Sequence, residues 1–339
     1  MNVLVTGANG FLGRQVVAAL LARGHHVRAL VRPAADTEAL AHLGVSDIVR
    51  ADLRTSSELS AAFDDIDTLV HLAAAVSGGE DAQFASTVVG TERLLDAMSI
   101  TACRRVLLAS SFSVYDWSAI SGTLDEHSPV TTGAALYGRD KYAIAKTWQE
   151  RVTRRFADRF GWELIVLRPG FIWGRGHAEL AAFGQQVGPI QVVIGPFSRI
   201  PMTHVENCAD LFALAVSDPR AVGETFNVVD DEGRTIWSFC GEYLKGEGIK
   251  RARVPIPYWP TYWMVSLLFN SVFKRNPKLP GILIPAHFEA RMKPLSFTNR
   301  KATTLLGWRP PRSYAQCLAL TFGAVASHGA GAPPGAKTT

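Results

Sequence analysis

Met1-Asn-Val-Leu-Val-Thr-Gly7-Ala-Asn-Gly10-Phe-Leu-Gly13-Arg-Gln-Val16 reads as a strand, a turn and the start of a helix. Val3 to Val5 is an apolar run of the kind that fills a buried strand, and Val16, Val17, Leu20 and Leu21 recur at the helical period beyond it. Between the two, glycines fall at positions 7, 10 and 13. One permits a tight turn, one lets the backbone approach a pyrophosphate, and one lets helix and strand pack closely. The helix N-terminus then offers its unpaired amides to the anion. A plain glycine-rich turn would carry the same triplet, but this one sits between a strand and a helix at the start of a domain. The expectation is a dinucleotide cradle formed by Gly7, Asn9, Gly10, Phe11, Leu12 and Gly13.

With 339 residues, 47% hydrophobic and 19% charged, the chain has ample material for one large α/β domain or two. The net charge is +5 and the pI about 9.1, with arginines spread along the whole length. That distribution fits an anionic cofactor better than a nucleic-acid face. Cys103, Cys208, Cys240 and Cys317 lie far apart with no C-x-x-C, so neither a disulfide framework nor a metal site is expected. No signal peptide precedes the first strand, and the expected compartment is the cytoplasm.

Between Arg253 and Lys274 no charge occurs, and Tyr258, Trp259, Tyr262, Trp263, Leu267 and Phe273 crowd the run. Pro255, Pro257 and Pro260 are expected to keep its first part from being helical. The remaining stretch of about thirteen residues is shorter than the roughly twenty that span a bilayer. A substrate-domain helix is the first expectation, and a weak membrane-surface contact through 258–273 the second.

Strand and helix patterns alternate through the first half, which predicts an α/β, doubly wound parallel sheet of the Rossmann type. The second strand, from His26, ends in Val31-Arg32 with no acid before Asp36. At that place an acid selects NAD through the ribose hydroxyl, and a cation selects NADP through its 2′-phosphate. Arg32 is therefore the candidate for a 2′-phosphate, with Arg28 as its helper, and NADP is favoured over NAD. A solvated surface arginine is the alternative. Ala51-Asp52-Leu53 ends a third strand, and Asp67-Thr-Leu-Val-His71-Leu-Ala-Ala74 forms a fourth.

Together with Leu164-Ile-Val-Leu-Arg168-Pro169-Gly170-Phe-Ile172-Trp173-Gly174 and the closing Leu305-Leu-Gly307-Trp308-Arg-Pro310, these motifs resemble the extended branch of the short-chain dehydrogenase/reductase family, the epimerase/dehydratase group. The resemblance covers residues 1 to about 325. It implies a Rossmann domain over 1–170, to which 203–229 return, and a substrate domain from 171–202 and 230–325. The Gly/Ala/Pro-rich tail, 326–339, reads as disordered. The resemblance further implies that Asp52 and Leu53 lie beside adenine and that Leu72, Ala73 and Ala74 line the cofactor. It places Pro169, Gly170 and Ile172 where nicotinamide and substrate meet, and it implies a homodimer. The stretch Thr87 to Met98 resembles the family's helix N-V-x-G-T-x-N-L-L-x-A, with Thr87 where that motif carries Asn.

Val106 to Tyr115 reads as a buried strand ending in the hydroxyls Ser110, Ser111 and Ser113. In the extended family a hydroxyl here bonds the substrate oxygen, and the pattern S-S-x-x-V-Y places it at Ser111, with Ser110 and Ser113 as fallbacks. A tyrosine with a lysine four residues on occurs twice, at Tyr137/Lys141 and Tyr142/Lys146, a spacing that puts both side chains on one helix face. Free tyrosine titrates near 10, so acid–base work near neutrality needs a shift of about three units. A neighbouring ammonium and a cationic nicotinamide favour the phenolate. The second pair fits better, because Ala143 and Ala145 surround it and Glu150 follows Lys146 as in the family's K-x-x-x-E. The catalytic candidates are Ser111, Tyr142 and Lys146, the last two also touching the cofactor.

Family dehydratases carry Asp-Glu after the active-site hydroxyl, where this chain has Phe112-Ser113. The C-terminal part looks like the 3β-hydroxysteroid dehydrogenase-like and dihydroflavonol reductase-like group, in the run Tyr258 to Phe273, Pro277-Lys-Leu279, Phe297 and Lys301-Ala302. The expected activity is an NAD(P)-dependent oxidoreductase on a small apolar alcohol or ketone, sterol-like or aromatic. The alternatives are a nucleotide-sugar epimerase or reductase holding NAD tightly, with Arg199, Arg275 or Arg291 on a diphosphate, and a non-catalytic dinucleotide sensor.

Overall fold

Runs of valine, leucine and isoleucine form seven strands that join in one parallel sheet. In the computed structural model, which describes residues 1–75, 79–273 and 279–323, they are β1 (Asn2–Thr6), β2 (His26–Val31), β3 (Asp47–Arg50), β4 (Thr68–His71), β5 (Arg105–Ala109), β6 (Glu163–Pro169) and β7 (Thr225–Val228). Their order across the sheet is β7-β6-β5-β4-β1-β2-β3, with every neighbouring pair parallel. The order reverses between β1 and β4, the switch point beside which such sheets bind their ligands. Both faces are covered, which is why these strands read as apolar runs rather than alternations. Val3, Val5, Val70 and Leu107 pack toward α1 (Phe11–Ala22) and a helix at Val205–Ser217. Leu4, Leu69, Val106 and Leu164 face the opposite core with Leu94, Leu95 and Met98.

Some sequence boundaries move. Residues 51–53 lie just beyond β3 rather than inside it. β5 stops at Ala109, and Phe112–Val114 forms a short 3₁₀ turn capped by Ser111, whose Oγ accepts from the Ser113 amide at 3.1 Å. The helix expected from Thr87 starts earlier. Glu80–Phe84, a π turn at Ala85–Val89 and Gly90–Ser99 follow one another as α2. At the π turn the Thr91 hydroxyl donates to the Thr87 carbonyl at 2.5 Å, and Thr87 Oγ1 accepts from the Ala75 amide at 3.0 Å. Such side-chain bonds compete with the regular ladder and accompany π bulges at functional places.

Outside the sheet, Trp173, Phe183, Phe239, Phe288 and Tyr314 build a separate aromatic core. Trp173 is fully buried there, edge-on to His204 and Phe239. The proline-led run is helical from Tyr258 onward (Tyr258–Leu268), contrary to the expectation that Pro260 would forbid it. Pro260 falls in the first turn, where the missing N–H has no intrahelical partner to lose. The helix buries Tyr258, Thr261 and Val265 and leaves Trp259, Trp263, Met264 and Leu267 each more than half exposed. Among the described residues no helix is long and apolar enough to cross a membrane. Arg275, Pro277 and the tail 326–339 lie outside the described residues.

Candidate active site

Gly7 takes φ +69°, and its carbonyl accepts from the Gly10 amide at 2.9 Å, which closes the turn out of β1. α1 then starts at Phe11 with no side-chain cap and no acid in its first turn, so its positive end is open to an anion. A Cβ on Gly13 would stand 2.1 Å from the Gly7 carbonyl oxygen. Gly13→Ala is therefore expected to push the turn apart, at a cost of about 1–3 kcal/mol or more. Dinucleotide binding should fall at least tenfold by titration, and unchanged affinity would rule out this packing role.

A cavity of about 710 Å³ opens over this turn and the C-terminal ends of the strands. The structure brings to its wall Gly7, Asn9, Gly10, Phe11, Leu12 and Gly13, then Arg32, Asp52, Leu53, Leu72, Ala73 and Ala74, and finally Ser111, Tyr142, Lys146, Pro169, Gly170 and Ile172. It adds His177 and Arg54, which sequence reasoning missed. His177 stacks on Phe11 with ring centroids 3.9 Å apart. Arg54 grips Asp52 through Nε and Nη2 at 3.1 and 2.8 Å, and these bonds, with the Arg54 amide, hold the carboxyl below its usual range. Arg54 stands two residues beyond Asp52, the only signal that could have found it.

Arg32 is exposed at the end of β2, on the cavity wall. Arg28 is not its helper. Arg28 donates to Asp47 at 2.7 Å and to the carbonyls of Ala62 and Asp64, because its place inside β2 turns it toward neighbouring elements rather than the ligand end.

Tyr142 and Lys146 ride on α3 (Lys141–Phe160), which Asp140 caps by accepting from the Ala143 amide at 2.9 Å and which Gly161 ends at φ +64°. Tyr137 lies before the helix, in the turn Gly133–Gly138, and is 65% exposed away from the cavity wall. Of the serines, Ser110 donates to Glu150 at 2.5 Å, while Ser111 stands beside the Tyr142 phenol and favours its ionised form. Ser113 is not on the wall.

Burial pushes the Tyr142 phenol up to about 12, and Ser111 only partly offsets it. In the chain alone the phenol is thus harder to ionise than free tyrosine, not easier. Lys146 is pushed down to about 7 by burial, with Glu150 opposing. Its ammonium is engaged by the Ala109 carbonyl at 2.7 Å and by Gln149 Oε1 at 2.9 Å.

The inward face of α3 is polar. Lys146, Gln149, Glu150 and Thr153 are all buried, so each needs partners in place of water. Glu150 takes a two-pronged bond from Arg168, at 3.1 and 2.6 Å, besides those from Ser110 and Arg154. Arg168 therefore braces the floor of the site and is not a wall residue, although it belongs to the same L-R-P run as Pro169. Its guanidinium also lies 4.8 Å from the Tyr115 ring centroid, and Tyr115 Oη donates to Asn227 at 2.7 Å.

A glycine-turn cradle at the switch point of a parallel sheet, with serine, tyrosine and lysine on the same wall, defines a nicotinamide-dependent oxidoreductase of the extended short-chain dehydrogenase/reductase class. The chain belongs to the NAD dependent epimerase/dehydratase family, which it matches over residues 3–228.

Among its relatives is the 3 beta-hydroxysteroid dehydrogenase/Delta 5-->4-isomerase of Mycobacterium tuberculosis, 29% identical over 91% of this chain and 86% of that protein. Sterol demethylase protein B of Methylococcus capsulatus is 31% identical over 76% of this chain and 78% of its own length. The fold matches that of UDP-glucuronic acid 4-epimerase from Bacillus cereus, solved with UDP-glucuronic acid and NAD. The TM-score is 0.70 at 21% identity, covering 95% of this chain and 98% of that one.

Proposed function

We propose that the protein interconverts an alcohol and a ketone on an apolar, sterol-like or aromatic substrate, with NADP(H) as the exchangeable cofactor. The observation that carries this reading is the convergence of Ser111, Tyr142 and Lys146 on the cavity that the glycine turn opens. Support for an apolar substrate comes from the relatives, which are named for steroid and sterol chemistry. The residues fit a dinucleotide. Gly13 has no room for a Cβ against Gly7, α1 begins without a cap, and Arg32 stands on the wall beyond β2.

A bound nicotinamide supplies the hydride acceptor or donor. Gly7 through Gly13 hold the pyrophosphate at the α1 terminus, and Arg32 meets the 2′-phosphate. Lys146 holds the ribose hydroxyls. Ser111 donates to the substrate oxygen, and Tyr142 passes the proton to or from that oxygen. Because burial raises the phenol of the chain alone, Tyr142 carries its proton at neutral pH. It becomes a base only when positive charge is brought beside it.

The test is titration of the purified protein with NADPH and NADH, beside Arg32→Ala. The variant is expected to lose about tenfold in NADPH affinity, roughly 1.4 kcal/mol, and little for NADH. Tightly copurified NAD, indifferent to Arg32, would overturn the NADP reading and favour a sugar-nucleotide epimerase. Arg199 and Arg291, the described arginines nominated for a diphosphate, are not on the cavity wall.

A further inference from the structure

Gln149 is fully buried on α3, three residues beyond Lys146. Its Oε1 accepts from Lys146 Nζ at 2.9 Å, while its Nε2 lies 3.0 Å from both the Ala73 carbonyl and Thr91 Oγ1. An ammonium only donates and a carbonyl only accepts, so this amide can face one way alone. Thr91 Oγ1 gives its own hydrogen to the Thr87 carbonyl and is left to accept from its neighbours. His71 completes the set, with Nε2 at 2.7 Å from Thr91 Oγ1 and Nδ1 at 2.6 Å from Thr6 Oγ1. These bonds suit a neutral ring protonated on Nε2. Burial, and then the charge of Lys146, push His71 down to about 3 and keep it so.

We infer that Gln149 is a positioning residue for Lys146: anchored to Ala73 just past β4 and to α2, it holds the ammonium against the end of β5 with one N–H left for the cavity. Two of the three ammonium hydrogens go to Ala109 and Gln149. Lys146 also lines the cavity, so the third is available to a ligand there. The inference rests on the proposed function only in giving that ligand as the cofactor ribose. Thr87, where the family's helix has Asn, is engaged with Ala75 and Thr91 and not with Lys146. The amide that supports the lysine comes instead from the lysine's own helix.

The charge on Lys146 depends on what faces it. Those groups are Glu150 one turn along α3, neutral His71 on β4, the Ala109 carbonyl on β5, Gln149, and Tyr142 one turn back. Removing the Gln149 carbonyl withdraws an acceptor that favours the ammonium, so the lysine should lose its proton at lower pH. A carboxylate at 149 should have the opposite effect.

The experiment labels the full chain with ¹³Cε-lysine, assigns Lys146 by its absence from Lys146→Arg, and titrates the protein without cofactor. Gln149→Met is expected to lower the Lys146 midpoint by about one unit, and Gln149→Glu to raise it above wild type. NADPH affinity measured beside it should fall about tenfold in Gln149→Met and recover in Gln149→Glu. A midpoint unmoved in Gln149→Met, or lowered in Gln149→Glu, would overturn the inference. Should Gln149→Met fail to fold, Gln149→Asn, which draws the carbonyl back by one methylene, carries the same expected direction. A shifted midpoint in a protein that turns over no apolar ketone would leave Gln149 in its role and count against the proposed substrate instead.

Discussion

Tyr142→Phe should lose about 10²–10⁴-fold in turnover, while Tyr137→Phe should stay close to wild type, with NADPH oxidation by a panel of steroid and aromatic ketones as the assay. Each tyrosine has a lysine four residues on; the residues around Tyr142 favour it in sequence, and the fold separates the two. Tyr142 meets Ser111 on the cavity wall, whereas Tyr137 lies outside the helix and is largely in solvent. Only the hydroxyl is removed, and the ring that packs in the wall stays. The variant should therefore keep its thermal midpoint and cofactor affinity. A Tyr137→Phe enzyme that fails while Tyr142→Phe works would reverse the assignment.

Glu150→Ala should cost about 3–5 kcal/mol of stability, read by urea unfolding, because it strands Arg168 in the interior. Both side chains of this pair are 6% exposed, and the variant would take from the guanidinium its carboxylate partner while Tyr115 stays beside it. Arg154→Ala removes the third member of the cluster, whose side chain is 40% exposed, and should cost under about 1 kcal/mol.

The same cluster makes stability depend on pH. Despite a burial penalty that raises it, Glu150 is held near 2 by the hydrogen bond and charge of Arg168, then by Arg154 and Ser110. Its folded-state pKa is thus depressed from the ordinary 4.5. The unfolded chain binds the proton more readily, so the stabilisation is fully present above pH 4.5 and fades as pH falls toward 2. Its size is about 3 kcal/mol. Urea midpoints that stay level between pH 5 and 3 in wild type, or fall equally in Glu150→Ala, would remove Glu150 from that account.

The cradle and the strand ends were legible because each is written within a few consecutive residues. A glycine triplet after an apolar run has few other uses, and the wall residues follow their strands directly. The inward face of α3 was not legible. Lys146, Gln149 and Glu150 would pass for the wet side of a helix, since groups that make burial tolerable lie 76, 40 and 18 positions away, on Ala73, Ser110 and Arg168. Arg28 misled for a related reason. A cation near the end of β2 looks available for phosphate until the pairing of β2 with β3 brings Asp47 against it. Pro260 reads as a helix breaker in the sequence, and its place in the first turn makes it harmless.

The seventh strand has a bearing on how the protein is made. β7 pairs with β6, yet about sixty residues of chain, among them Trp173 and Phe183 of the aromatic core, come between their ends. A ribosome adding about 5–20 residues per second takes roughly 3–12 s to cover that interval. Until then Val166, Leu167 and Arg168 present a bare edge, and Tyr115 waits for Asn227. Such an edge invites pairing with another nascent chain. A fragment ending near residue 170 would hold every glycine of the cradle and the tyrosine and lysine of the site, and would still be left in that exposed, aggregation-prone state.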